Sequence, residues 1–143
     1  MLEDFLASKD FVSLMQRHVK ECLELILSGD EGFEVLANMN LVSFEPPLPE
    51  HLELKNEVAL FVLSGYTLES AEIIDDCLVF EAGFGDENYA TTVSIRLGGI
   101  LRISMQKAAL LVNFSIPSSD APSQIEKSTN IFKSNPKNKD LFK

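Results

Sequence analysis

Cysteine, histidine and positive charge are all scarce in this 143-residue chain, and each scarcity removes a class of function. The two cysteines, Cys22 and Cys77, stand far apart with no CxxC and no neighbouring histidine. That argues against a disulfide framework and a zinc site, and both read as buried thiols. Twelve basic residues against 22 acidic ones leave a formal net charge of −10, so the electrostatic footprint of a nucleic-acid binder is missing. The longest unbroken apolar run, Val58 to Leu63, falls far short of the roughly 18–20 residues a bilayer span needs. The amino terminus, Met1-Leu-Glu-Asp, carries acids where a secretory signal would carry bases, which makes a cytoplasmic protein the expectation.

Catalytic and cofactor motifs are equally thin. Gly83-Phe-Gly85 lacks the third glycine of a dinucleotide fingerprint and follows a strand that leads to another strand, so backbone relief at a bend is its role. His18 lies on a helical face and His51 in a proline-rich loop, neither beside a recognisable nucleophile. Asp75-Asp76 reads as a turn, with no further oxygen ligands at EF-hand spacing. A non-enzymatic protein with no cofactor and no metal is expected.

What is present is a core. Hydrophobic residues make up 45% of the chain and mean hydropathy is +0.08, the composition of one soluble domain. Charge divides it: residues 118–143 hold five lysines against three acids, a net of +2, and residues 1–117 hold seven bases against nineteen acids, a net of −12. The Ser-, Pro-, Asn- and Lys-rich stretch 118–143 is expected to be a disordered tail, because it buries too little to offset its ordering entropy. It ends in Lys139-Asp-Leu-Phe-Lys143, an apolar pair between lysines that suits a short recognition peptide.

Residues from about Asp10 to Leu27 recur at helical spacing: Phe11, Leu14, Met15, His18, Cys22, Leu25 and Ile26 on one stripe, Val12, Val19, Leu23 and Leu27 on the next. Ser8 or Asp10 can cap this helix and Gly29 suits its end. Two apolar stripes exceed what one sheet face requires, so a second element or a second subunit covers the surplus. A homodimer through Phe11, Met15 and Cys22 is the resulting expectation. Beyond Pro46-Pro47 and Pro49 the period changes to short β-branched or aromatic runs over 57–63, 78–84, 91–97, 100–105 and 109–116. The fold class is therefore α+β: a helix, then an antiparallel sheet curled into a small barrel or folded as two sheets.

Within those strands, Phe80-x-Ala82-x-Phe84-Gly85 and Val93-Ser94-Ile95-x-Leu97-x-x-Ile100-Leu101-x-Ile103 resemble the signature of the SspB (stringent starvation protein B) adaptors, which deliver tagged substrates to the ClpXP protease. Leu41-Val-Ser-Phe44, Leu48-Pro49, Val58 to Leu63 and Phe114 extend the likeness over about half the chain. The resemblance implies an Sm-like β domain over 1–117 with a helix that pairs subunits. It implies a peptide groove at Phe80, Ala82, Phe84, Gly85 and Val93, in which a small Ala82 between aromatics admits a peptide backbone. It also implies that Leu141, Phe142 and Lys143 dock on the ClpX unfoldase. Three departures stand out: Asp86 replaces the glycine usual after F-G, the loop that follows is longer, and the first helix lacks the family's aromatic cluster. Asp86-Glu-Asn-Tyr-Ala90 in that loop has the composition of a polar β-turn.

A rival reading is a hot-dog-fold acyl-thioester-binding protein or thioesterase, in which 50–66 would form a buried helix wrapped by the later strands. The apolar run within that segment has no periodicity that separates strand from helix.

Overall fold

The computed structural model describes residues 1–116. The tail 118–143, with Leu141, Phe142 and Lys143, lies outside the described residues. Two compact units divide the described chain, one of Met1–Val12 with 115–116 and one of Ser13–Phe114.

The first unit holds a short helix, α1 (Leu2–Leu6), and the start of α2 (Lys9–Leu27). Ser8 caps α2 as its composition suggests: Ser8 Oγ accepts from the Phe11 N–H at 3.3 Å, satisfying one of the free donors of the first turn. Phe5 and Phe11 lie with ring centroids 4.9 Å apart, and the Ile116 N–H donates to the Leu6 carbonyl at 2.8 Å.

The second unit is a two-layer β structure with the body of α2. Eight strands follow: β1 (Phe33–Asn38), β2 (Val42–Glu45), β3 (Val58–Leu63), β4 (Glu72–Ile74), β5 (Cys77–Phe84), β6 (Tyr89–Arg96), β7 (Ile100–Met105) and β8 (Ala108–Val112), with a one-and-a-half-turn helix α3 (Gly65–Ser70) before β4. They form two antiparallel four-stranded sheets, β3-β1-β7-β8 and β2-β6-β5-β4. The two-sheet form of the expectation is what folds; the closed barrel is not, because each sheet keeps two edge strands. The segment 50–66 is no single buried helix either: a 3-10 turn at Glu50–Leu52 is followed by the strand β3, and α3 starts only at Gly65. Val58–Leu63 pairs with β1 over its full length, so the premise of the hot-dog reading fails.

Alternation explains the layers. Phe33, Val35 and Ala37 of β1, Phe61 and Leu63 of β3, Leu78 and Phe80 of β5, Val93 and Ile95 of β6, and Ile100 and Ile103 of β7 all turn inwards. One cluster joins these residues to Val19, Leu23 and Ile26 of α2. Phe61 and Phe80 meet edge to face across the layers, centroids 5.9 Å apart, in a geometry favoured by the ring quadrupoles. The Gly98-Gly99 break proves to be a crossover from one sheet to the other. A side chain at Gly99 would meet Leu41 Cβ at 2.6 Å, so glycine is required where the two sheet-switching turns, 39–41 and 97–99, run together. Asp75 and Asp76, both at positive φ, make the tight β4–β5 hairpin expected of them.

Neither of α2's two apolar stripes is left spare: each gives two residues to the buried face, and Leu25 is the one large apolar side chain of the helix that is exposed. Met15, Val19, Leu23 and Ile26 are buried, at spacings of three and four, whereas Leu25 and His18 face solvent. Of the expected dimer residues, Met15 is therefore in the core and Phe11 and Cys22 are half-buried. A side chain already packed in its own domain has little surface left for a partner.

Candidate functional site

β2 is an edge strand followed at once by a proline-rich loop, 46–57, that returns to β3. Pro46 and Pro47 cannot donate to a ladder, which suits them to follow an edge. The loop is pinned to the β5–β6 end. Thr91 Oγ1 donates to the Pro46 carbonyl at 2.6 Å and Tyr89 OH to the Pro47 carbonyl at 3.1 Å. His51 Nε2 lies 3.0 Å from Glu87 Oε2, and Leu52 stands over Gly85, whose φ is +75°. The hydrogen bond from His51 holds the Glu87 carboxyl below its ordinary range.

Between this loop and β2 lies a cleft of about 590 Å³. Met39, Val42, Phe44, Leu48 and Leu54 supply its apolar surface, and Glu53, Lys55 and Glu57 stand at its rim. The backbone at the cleft is available. Leu97 N–H bonds the Asp76 carbonyl at 3.0 Å, which sets the parity of the β5–β6 ladder. By alternation, Ser43 and Glu45 turn their backbone groups to β6, and Val42 and Phe44 turn theirs to the open edge. The Val42 N–H is used by the Met39 carbonyl. The Val42 carbonyl and both backbone groups of Phe44 find no partner among the described residues.

The residues expected to form the groove are distributed differently. Phe80 is 2% exposed and Val93 0%, so neither offers surface to a peptide. Both lie on the inward-facing positions of their strands, which alternation sets against the core. Ala82 and Phe84 are half-buried against the core cluster, and Gly85 is exposed in the turn that follows. Phe84 is tied to the cleft through Phe44, whose ring it meets at 5.8 Å and 83°. Phe80 and Val93 thus support, Ala82 and Phe84 form the margin, and Phe44 lines the cleft. The loop residues were missed because their pairings span 36 to 45 positions; the visible signal was Leu48 and Leu54, apolar residues in a proline-rich stretch.

Both thiols are pushed up from their ordinary value, chiefly by burial, away from the range of activated nucleophiles. Among the described residues, no three His, Cys, Asp or Glu side chains converge as metal ligands, and no helix is long and apolar enough to cross a membrane.

The chain matches no protein-family model, no curated protein and no solved structure.

Proposed function

We infer that the protein is a non-enzymatic adaptor that holds an extended, unstructured peptide and delivers the protein bearing it to the ClpXP protease in the cytoplasm. One observation carries the peptide-binding half: a cleft of mixed apolar and polar lining opens along the edge of β2, where the Val42 carbonyl and the Phe44 N–H and carbonyl find no partner among the described residues. An incoming strand satisfies such groups while alternate side chains enter the cleft, the mode of β-strand addition. A metal, a cofactor or an activated nucleophile has no part in that role. The groove accordingly moves from β5 to β2, with Phe44 and Phe84 as the link between them.

Delivery rests on the resemblance of Phe80 to Gly85 and Val93 to Ile103 to the SspB signature, and on the tail. Binding cargo in one place and docking the unfoldase through Leu141, Phe142 and Lys143 raises effective concentration without bond chemistry.

Two measurements test this. A labelled unstructured peptide should bind in fluorescence anisotropy and lose affinity in Phe44→Ala. Deletion of 139–143 should abolish stimulation of ClpXP proteolysis and leave peptide affinity intact. No binding by any unstructured peptide overturns the cleft; undiminished delivery by the truncated protein overturns the adaptor role.

A further inference from the structure

The cleft beside β2 has a charge as well as a shape. Between residues 45 and 57 four glutamates, Glu45, Glu50, Glu53 and Glu57, stand against one lysine, Lys55, and His51 is engaged with Glu87. Glu53 and Glu57 line the cleft together with Lys55, while Glu45 is exposed on the other face of β2. The Met39 N–H donates to the Glu57 carbonyl at 2.9 Å, which sets Glu57 at the end where β2 begins. Glu45 is the last residue of the strand. None of the four glutamates has an ion-pair partner among the described residues. Both ends of the open edge thus carry negative charge, on a body where nineteen acids face seven bases. Such a field draws cationic chains to the cleft and repels anionic ones.

The backbone of the edge leaves the choice of occupant to side chains. Val42 donates its N–H to Met39. Residue 46 is a proline, which has no N–H, and its carbonyl is held by Thr91 Oγ1 at 2.6 Å. An added strand therefore meets three groups, the Val42 carbonyl and the N–H and carbonyl of Phe44. In either direction of pairing it answers with two N–H groups and one carbonyl, drawn from two residues two apart. Those bonds are nearly blind to sequence. The incoming side chains level with Val42 and Phe44 share their face and enter the cleft, where Phe44, Leu48 and Leu54 favour apolar groups. The next residue past Phe44 lies opposite Glu45 on the outer face, within cross-strand reach.

We propose, resting on the strand-addition reading of this cleft, that its occupant is a positively charged extended segment: two apolar residues separated by one, with lysine or arginine on both sides. The bases meet Glu45 at one end and Glu57 at the other, and Glu53 adds to the field over the cleft. An acidic segment of the same shape would set like charges opposite one another at both ends. Each exposed pair changes affinity by about 1.5- to 5-fold, so selection comes from the set acting together.

The test is fluorescence anisotropy with three labelled peptides that share a Val-Thr-Val centre and carry two lysines, two serines or two glutamates on each side. At low ionic strength the lysine peptide should bind the wild-type chain about tenfold more tightly than the serine peptide, with the glutamate peptide weakest, and the lysine advantage should fade in high salt. The triple variant Glu45→Gln, Glu53→Gln, Glu57→Gln should bring the lysine peptide close to the serine one, and Phe44→Ala should weaken both. Equal binding of the lysine and serine peptides, or a preference for glutamate, overturns the charge selection and leaves strand addition standing. A lysine advantage that survives the triple variant, or a lysine peptide indifferent to Phe44→Ala, places the attraction elsewhere on the acidic body and overturns the proposal as well. Binding by none of the three overturns the cleft itself.

Discussion

Phe44 on the edge strand β2 and Phe84 at the end of β5 meet edge to face, with centroids 5.8 Å apart and planes at 83°. One ring lines the cleft and the other belongs to the F-x-A-x-F-G run, so the most recognisable part of the sequence braces the cleft from behind. Phe44→Ala is expected to cost about 1–3 kcal/mol in urea unfolding, less than a fully buried phenylalanine, and to weaken peptide binding beyond what that loss explains. Retained affinity in a folded variant would place the peptide elsewhere.

Ala82 faces inwards, paired with Thr91, and packs against the core. Ala82→Gln should therefore weaken peptide binding at the cleft margin and also lower stability by about 1–3 kcal/mol, the usual cost of overpacking. An unchanged denaturation midpoint would show that the side chain escapes into solvent.

At Gly85 the backbone is left-handed, with φ of +75°, a conformation that costs an L-residue about 1–2 kcal/mol. A methyl group there would also meet Leu52 Cδ2 at 2.6 Å. Gly85→Ala should lose about that much stability and free the loop 46–57, seen as faster amide exchange around Leu52. Unaltered exchange would mean that Leu52 does not anchor the loop.

Glu87 gives the loop a pH dependence. Its folded carboxyl lies below its ordinary value, first because His51 donates a hydrogen bond to it. A depressed carboxyl stabilises the fold above its unfolded value and loses that contribution as pH falls through the folded one. The stability difference between the wild-type chain and Glu87→Gln should thus be full above the ordinary carboxylate range and shrink towards zero in more acid solution. A difference that persists unchanged into strong acid would assign it to something other than ionisation.

Along α2, Leu23 is fully buried and Leu25, two residues on, is 78% exposed. Leu23→Ala should cost about 2–5 kcal/mol and Leu25→Ala within about 0.5 kcal/mol, compared by chemical denaturation. Similar losses at both would indicate that Leu25 is covered in solution.

Much of this fold is local and therefore visible in the chain itself. The period of α2, the cap at Ser8, the Asp75-Asp76 hairpin and the alternation in β5 and β6 each depend on residues within a few positions of one another. β1 was missed because Leu36 turns an apolar side chain outwards and blurs its alternation, and β4 because three residues carry no period. Which side of α2 is buried, why Phe80 and Val93 cannot touch a peptide, and how loop 46–57 walls a cleft depend on pairings dozens of residues apart. The sequence by itself determined the element types, the acid-rich body and the tail's composition, because propensity and charge are properties of the local chain. Only the tertiary structure decided which strands became edges and which faces stayed open, because strand order follows from how two sheets and a helix together exclude water.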